Sequence, residues 1–197
     1  MLKKLKVLSV LALMVFSVSC GPQRTVTRVD ESTVIDLSGR WNDTDSQQTA
    51  DAMIAQSLND AWLTNFSQKN PGVKPVVIVG FVTNNTDEHI VAETFIRDLE
   101  RAFINSGQVR LVAGGAKRDE IRKERAQQQD YSTDASMKKW GMEVGADYML
   151  QGDLSSIIDS FNKEKVIFYQ VNLQLTDIET TEVVWIGDKK IKKYVKG

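Results

Sequence analysis

The run Val166-Ile167-Phe168-Tyr169-Gln170-Val171-Asn172-Leu173-Gln174-Leu175 alternates apolar and polar side chains from Ile167 onward. Residues 167, 169, 171, 173 and 175 are apolar, while Gln170, Asn172, Gln174 and Thr176 are polar, which is the period of a strand with one dry face and one wet face. Asp177 to Glu182 follows as a polar loop, tightest over Glu179–Glu182, and Val183-Val184-Trp185-Ile186 is β-branched and aromatic. Those residues predict a returning strand, so the stretch from Lys165 to Lys193 reads as a C-terminal β-hairpin. Its dry face requires helices to cover it. At its end Lys189, Lys190, Lys192, Lys193 and Lys196 crowd the last residues, and lysines on a final strand either guard an open sheet edge or contact an anionic envelope polymer.

Upstream of the hairpin, Ala146 to Leu154 is strand-like, with Tyr148, Leu150 and Leu154 on one side and Gln151 and Asp153 on the other. Val76 to Val82 is uniformly apolar and predicts a buried central strand, entered through the breaker Pro71-Gly72-Val73-Lys74-Pro75. Val109 to Val112 predicts a short strand. Helices are expected between these strands. One runs from Asp45 to Phe66, with Met53, Ile54, Leu58, Ala61 and Trp62 on one face and Thr44 and Gln47 spaced as a capping box. A second runs from Glu88 to Asn105, buries Phe95, Ile96, Leu99 and Phe103, and closes at Ser106-Gly107. A third, Ala116 to Gln129, is charged nearly all round and predicts a surface helix. A fourth, Asp130 to Val144, presents Met137 and Trp140. The sum is an α/β (α+β) domain: one mixed sheet of about five strands packed by about four helices and ending in a hairpin.

The chain has 197 residues, 42% of them hydrophobic, enough for one core. Its formal charge is −1, but Lys3, Lys4 and Lys6 precede an apolar run from Val7 to Val18. That is the build of an export signal over residues 1–19, and twelve apolar residues are too few to span a bilayer. From Cys20 onward 22 basic residues face 26 acidic ones, a charge of −4, which argues against a nucleic-acid partner. Cys20 is the single cysteine, so no intramolecular disulfide can form. Phe16-Ser17-Val18-Ser19-Cys20-Gly21 resembles a bacterial lipobox, with Ser17 where leucine is common. The resemblance implies lipidation at Cys20, and Gly21 in place of aspartate implies sorting to the outer membrane. Residues 20–39 then read as a short polar tether reaching about 65 Å at full stretch, and residues 40–197 as the globular domain.

Side chains that could carry catalysis are sparse. His89, the sole histidine, sits beside a helix start in a solvated setting. Asp43 and Asp45 suit a helix N-terminus, where the dipole favours them, better than a metal that would need further ligands. Ala113-Gly114-Gly115-Ala116-Lys117 lacks the spacing of a phosphate loop and reads as a plain strand-to-helix turn. No nucleophile with a base, and no cofactor motif, is recognisable, so the expectation is a non-enzyme without cofactor, metal or small-molecule substrate. What remains is the amide row Gln170, Asn172 and Gln174, continued by Gln151: either a docking surface or a solvated sheet face.

The order of elements and several short motifs resemble the LpoB family of penicillin-binding-protein activator lipoproteins. The carriers are Asn84-Asn85-Thr86 after the first long strand, Gly107-Gln108-Val109-Arg110-Leu111-Val112, Val144-Gly145-Ala146-Asp147-Tyr148-Met149-Leu150, and Leu173-Gln174-Leu175 running to Glu182-Val183-Val184-Trp185. The resemblance covers Val76 to Ile191. It implies a fold similar to the N-terminal domain of TolB, an outer-membrane lipoprotein facing the periplasm, and a bifunctional class A penicillin-binding protein as the partner whose peptidoglycan synthesis is stimulated. The tether departs from the family's long proline-rich one, having only Pro22. Candidate contact residues are Gln151, Gln170, Asn172, Gln174, Asn84, Asn85 and Thr86, read from this sequence alone. The alternative is a structural or assembly lipoprotein of the envelope, related to the curli-type secretion lipoproteins.

Overall fold

Every second side chain of the central antiparallel strand is fully buried, from Ile167 through Tyr169, Val171 and Leu173 to Leu175. The structure, a computed structural model, describes residues 25–30, 32–131 and 143–197. The leader, Cys20 and most of the expected helix over 130–144, with Met137 and Trp140, lie outside the described residues. The chain divides into two units, Met1–Thr33 and Val34–Gly197. In the first, the Asp30 carboxylate accepts the Ser32 amide at 2.9 Å.

The second unit carries, in order, α1 (Asp43–Leu58), α2 (Ala61–Lys69), β1 (Val76–Asn85), α3 (Ala92–Ser106), β2 (Arg110–Leu111), α4 (Gly115–Tyr131), β3 (Tyr148–Phe161), β4 (Glu164–Asp177) and β5 (Val183–Lys196). The sheet order is β2-β1-β3-β4-β5, with β1 parallel to β2 and β3 and the last three strands antiparallel. It is an α+β domain with one mixed five-stranded sheet. Helices α1 and α3 cover the dry face, bringing Met53, Ile54, Phe95, Leu99 and Phe103 against Val77, Leu150 and the β4 row. The rings of Trp62 and Phe66 on α2 meet Tyr148 edge-on.

Two side chains from β4 and β5 fasten the helical layer electrostatically. The Tyr169 hydroxyl donates to Glu88 at 2.7 Å, and the other Glu88 oxygen accepts the Trp41 amide at 3.1 Å. Burial first, then the Glu88 carboxylate, pushes the Tyr169 phenol well above its ordinary pKa, so it stays a donor. Lys193 reaches Asp45 at 2.6 Å and Asp36 at 2.7 Å and donates to the Arg40 carbonyl at 3.0 Å. Burial acts to lower the Lys193 pKa, but its hydrogen bonds to Asp36 and Asp45 and their negative charge outweigh it, and the net shift is upward.

Several boundaries differ from expectation, each for a local reason. The single helix expected over 45–66 is two, because Asp60 caps α2 through the Ala61 amide and Asn59 turns back to the Ala55 carbonyl. The break lets the Trp62 indole donate to the Ser57 carbonyl at 2.7 Å. The capping box at the start of α1 is formed by Asn42 and Asp45 rather than Thr44 and Gln47. Helix α3 begins at Ala92 instead of Glu88, whose side chain is occupied by Trp41 and Tyr169. Val76–Val79 is buried as expected, but the register shifts between Val79 and Val82 and leaves Phe81 63% exposed. Strand β3 runs on from Leu154 to Phe161; Ser155, Ser156, Asp159 and Ser160 look loop-like alone but pair residue by residue with β4.

Replacing Lys193 by Met should cost about 2–3 kcal/mol, because Asp45 is left nearly buried without its cation. A folded pKa above the unfolded one adds stability that is present below the ordinary lysine value and fades as pH rises through the raised value. Urea denaturation across alkaline pH should therefore erode the wild type more steeply than K193M, and equal slopes would contradict the coupling.

Candidate functional site

Because α1 and α3 take the Ile167–Leu175 side, Gln170, Asn172 and Gln174 stand on the opposite side of the sheet. Register places its side chains in rows. Asn85, Ser155, Gln170 and Lys190 lie side by side across four strands, and Thr83, Asp153, Asn172 and Asp188 form the next row. Gln151, Gln174 and Ile186 form a third. The structure thus brings Gln151, Gln170, Asn172 and Gln174 onto one face, all half-buried.

These amides hold one another. Gln170 donates to the Asn172 side-chain oxygen at 2.8 Å, Asn172 donates to Asp153 at 3.3 Å, and the Ser155 hydroxyl donates to Asp153 at 3.0 Å. Lys190 and Asp188 close the β5 side at 3.2 Å. Cross-linked polar side chains keep their rotamers when a partner arrives, which reduces the ordering cost of docking. Asp153 is the hub of this network. Sequence reading placed it beside Gln151 but not beneath Asn172, because the cross-strand register is non-local.

The loop after β1 splits in its role. Asn84 donates to the Glu88 carbonyl at 2.8 Å, and its oxygen accepts the Thr86 amide and hydroxyl at 3.0 and 2.7 Å. Thr86 in turn accepts the Glu88 amide at 3.1 Å. Asn84 and Thr86 therefore build the loop and set Glu88 in place, while Asn85 alone is exposed beside Ser155.

Two carboxylates away from this face serve the backbone. Asp147 accepts the Val76 amide at 2.7 Å, and Asp177 accepts the amides of Glu179 and Thr180, both at 2.9 Å. They border a cavity of about 900 Å³ with Trp62, Phe66 and Lys69. Among the described residues no three His, Cys, Asp or Glu side chains come together, and His89 is exposed. Among the described residues no helix is long and apolar enough to cross a membrane.

A family model described as the peptidoglycan-synthase activator LpoB matches residues 45–191, well over half of the chain. Among solved structures, the LpoB C-terminal domain from Escherichia coli is 21% identical, over 76% of this chain and 99% of that one, with a TM-score of 0.46. The corresponding domain from Salmonella enterica is 19% identical, again over 76% and 99%, with a TM-score of 0.43. The lipoprotein GNA1162 from Neisseria meningitidis is 10% identical over 61% of this chain and 83% of that one, with a TM-score of 0.42. No curated protein matches the chain.

The loop geometry separates two neighbouring asparagines. Asn84→Ala should lower stability by about 1–2 kcal/mol through the loss of the loop bonds, whereas Asn85→Ala should change it by less than about 0.5 kcal/mol. Chemical denaturation of both variants checks this, and similar losses would contradict the assignment.

Proposed function

Because the chain belongs to the LpoB family of peptidoglycan-synthase activators, we propose that it binds a class A penicillin-binding protein and activates it without performing chemistry itself. The observation that carries this reading is the family match, which spans α1 to β5 and so takes in the whole amide face. A family of activators acts by binding. Activation of this kind needs only that the docked surface fit the active state of the synthase better than the resting state.

The docking surface in this proposal is the row Gln151, Gln170, Asn172 and Gln174, extended by Asp153 and by Asn85. Asn84 and Thr86 contribute by holding the loop. Processing removes residues 1–19, acyl chains on Cys20 hold the protein at the outer membrane facing the periplasm, and the tether expected over 20–39 is shortened to 20–33, since the folded unit begins at Val34. Palmitate labelling of the native chain and of Cys20→Ser tests the anchor: the label should disappear in the variant.

Recruitment is tested by capture from cross-linked cells, comparing the native chain with a variant carrying Gln170→Lys, Asn172→Lys and Gln174→Lys. Three added charges on the face oppose docking while the solvated side chains leave the core intact. The native chain should recover a penicillin-binding protein and raise its glycan polymerisation, and the folded variant should do neither. Recovery of copies of the chain alone would replace this reading with assembly of an envelope structure.

A further inference from the structure

Past Ser155 and Gln170 the open face changes character. Ile157 lies opposite Phe168, Val166 lies opposite Tyr194, and Phe161 begins the β3–β4 turn. Phe161 is 79% exposed, Ile157 68% and Tyr194 59%. Five apolar or aromatic side chains thus share one face across three strands at the far end of the sheet. Asn162, at φ 54°, makes the tight turn that leaves Phe161 and Lys163 at the tip.

The charges around them are unequal. Lys196 is paired with Glu164, Lys190 with Asp188, and Lys193 with Asp36 and Asp45. Lys163 at the tip and Lys192 beside Phe168 have no ion pair among the described residues, whereas Lys165 and Lys189 alternate onto the Ile167 side; Asp159, beside Val166, is the one carboxylate of the β3–β4 tip without an ion pair. The folded unit also begins here. Asp36 is held by Lys193, and a Cβ on Gly39 would collide with Val195 and approach Ile167. Between Cys20 and Val34 only residues 20–33 remain, about 50 Å at full stretch.

From these placements we propose that the β3–β4–β5 end lies on the surface of an anionic phospholipid bilayer, with Phe161, Ile157 and Tyr194 at headgroup depth and Lys163 and Lys192 over the phosphates. Apolar and aromatic side chains flanked by lysines are the composition that such an interface takes. An anionic glycan would account for the lysines and leave Phe161 and Ile157 in water. A two-fold contact with a second copy would bring like-charged lysines together. The folded unit starts at this end, where Lys193 holds Asp36, so lipid anchoring and bilayer contact are compatible. This inference rests on the envelope anchoring proposed above but is read by a separate signal.

The test uses the full acylated protein reconstituted in vesicles of phosphatidylethanolamine with about 30% phosphatidylglycerol, compared with phosphatidylcholine alone. An environment-sensitive fluorophore is placed on Lys163→Cys or, at the opposite end of the sheet, on Glu179→Cys. Spin-labelled lipid should quench the Lys163→Cys probe at least twofold more than the Glu179→Cys probe in anionic vesicles. Added salt, phosphatidylcholine vesicles or the double change Ile157→Asp and Tyr194→Asp should remove the difference, with circular dichroism verifying the fold. Equal quenching at the two positions overturns the proposal. So does a probe shift in detergent that grows with protein concentration, which would assign the surface to a second copy. Failure of palmitate labelling at Cys20 would be a distinct result, leaving the quenching comparison of the membrane-bound fraction to decide the surface.

Discussion

A fourteen-residue strand that buries alternate side chains from Ile167 to Leu175 can exist only if a layer of helices covers that side and two strands satisfy its backbone. Strand β4 imposes both conditions. Its edges are taken by β3 and β5 along nearly their whole lengths, and its dry side is taken by α1 and α3. Apolar burial at about 25 cal/mol per Å² supplies the driving force, but it has no direction and would accept several placements of the helices.

Polar contacts select one placement. Tyr169 lies within the dry row and yet donates to Glu88, which also holds the Trp41 amide; the Trp41 ring then packs edge-on against Tyr169 and Phe95. Lys193 does the equivalent on β5 with Asp45, the residue that caps α1. A capping carboxylate thereby answers both to its own helix and to the last strand. The chain entering the domain is tied to the chain leaving it.

Using the dry side for the core leaves the wet side available for partners, and that side is not uniform. Near β1 it is a cross-bonded lattice of amides around Asp153, suited to a polar protein surface. Toward the β3–β4 turn it becomes apolar and aromatic, with Lys192 and Lys163 beside it. Two chemistries along one three-stranded ribbon give the proposed synthase contact and the proposed bilayer contact separate residues.

The alternation over residues 167–175, the apolar run at 76–79, the helical stripe Phe95–Leu99–Phe103 and the stop at Gly107 were legible from the sequence because each is a local periodicity or a local backbone requirement. So was the membership of Gln170, Asn172 and Gln174 in one face. The partners of those residues were not legible. That Asp153 sits beside Asn172, that Asn85 joins the row while Asn84 and Thr86 turn inward, and that Ile157, Phe161 and Tyr194 meet at one end all depend on register between strands far apart in the chain. A period of two states which side of a strand is dry; only the packed sheet, through non-local pairing, decides what each wet side chain stands next to.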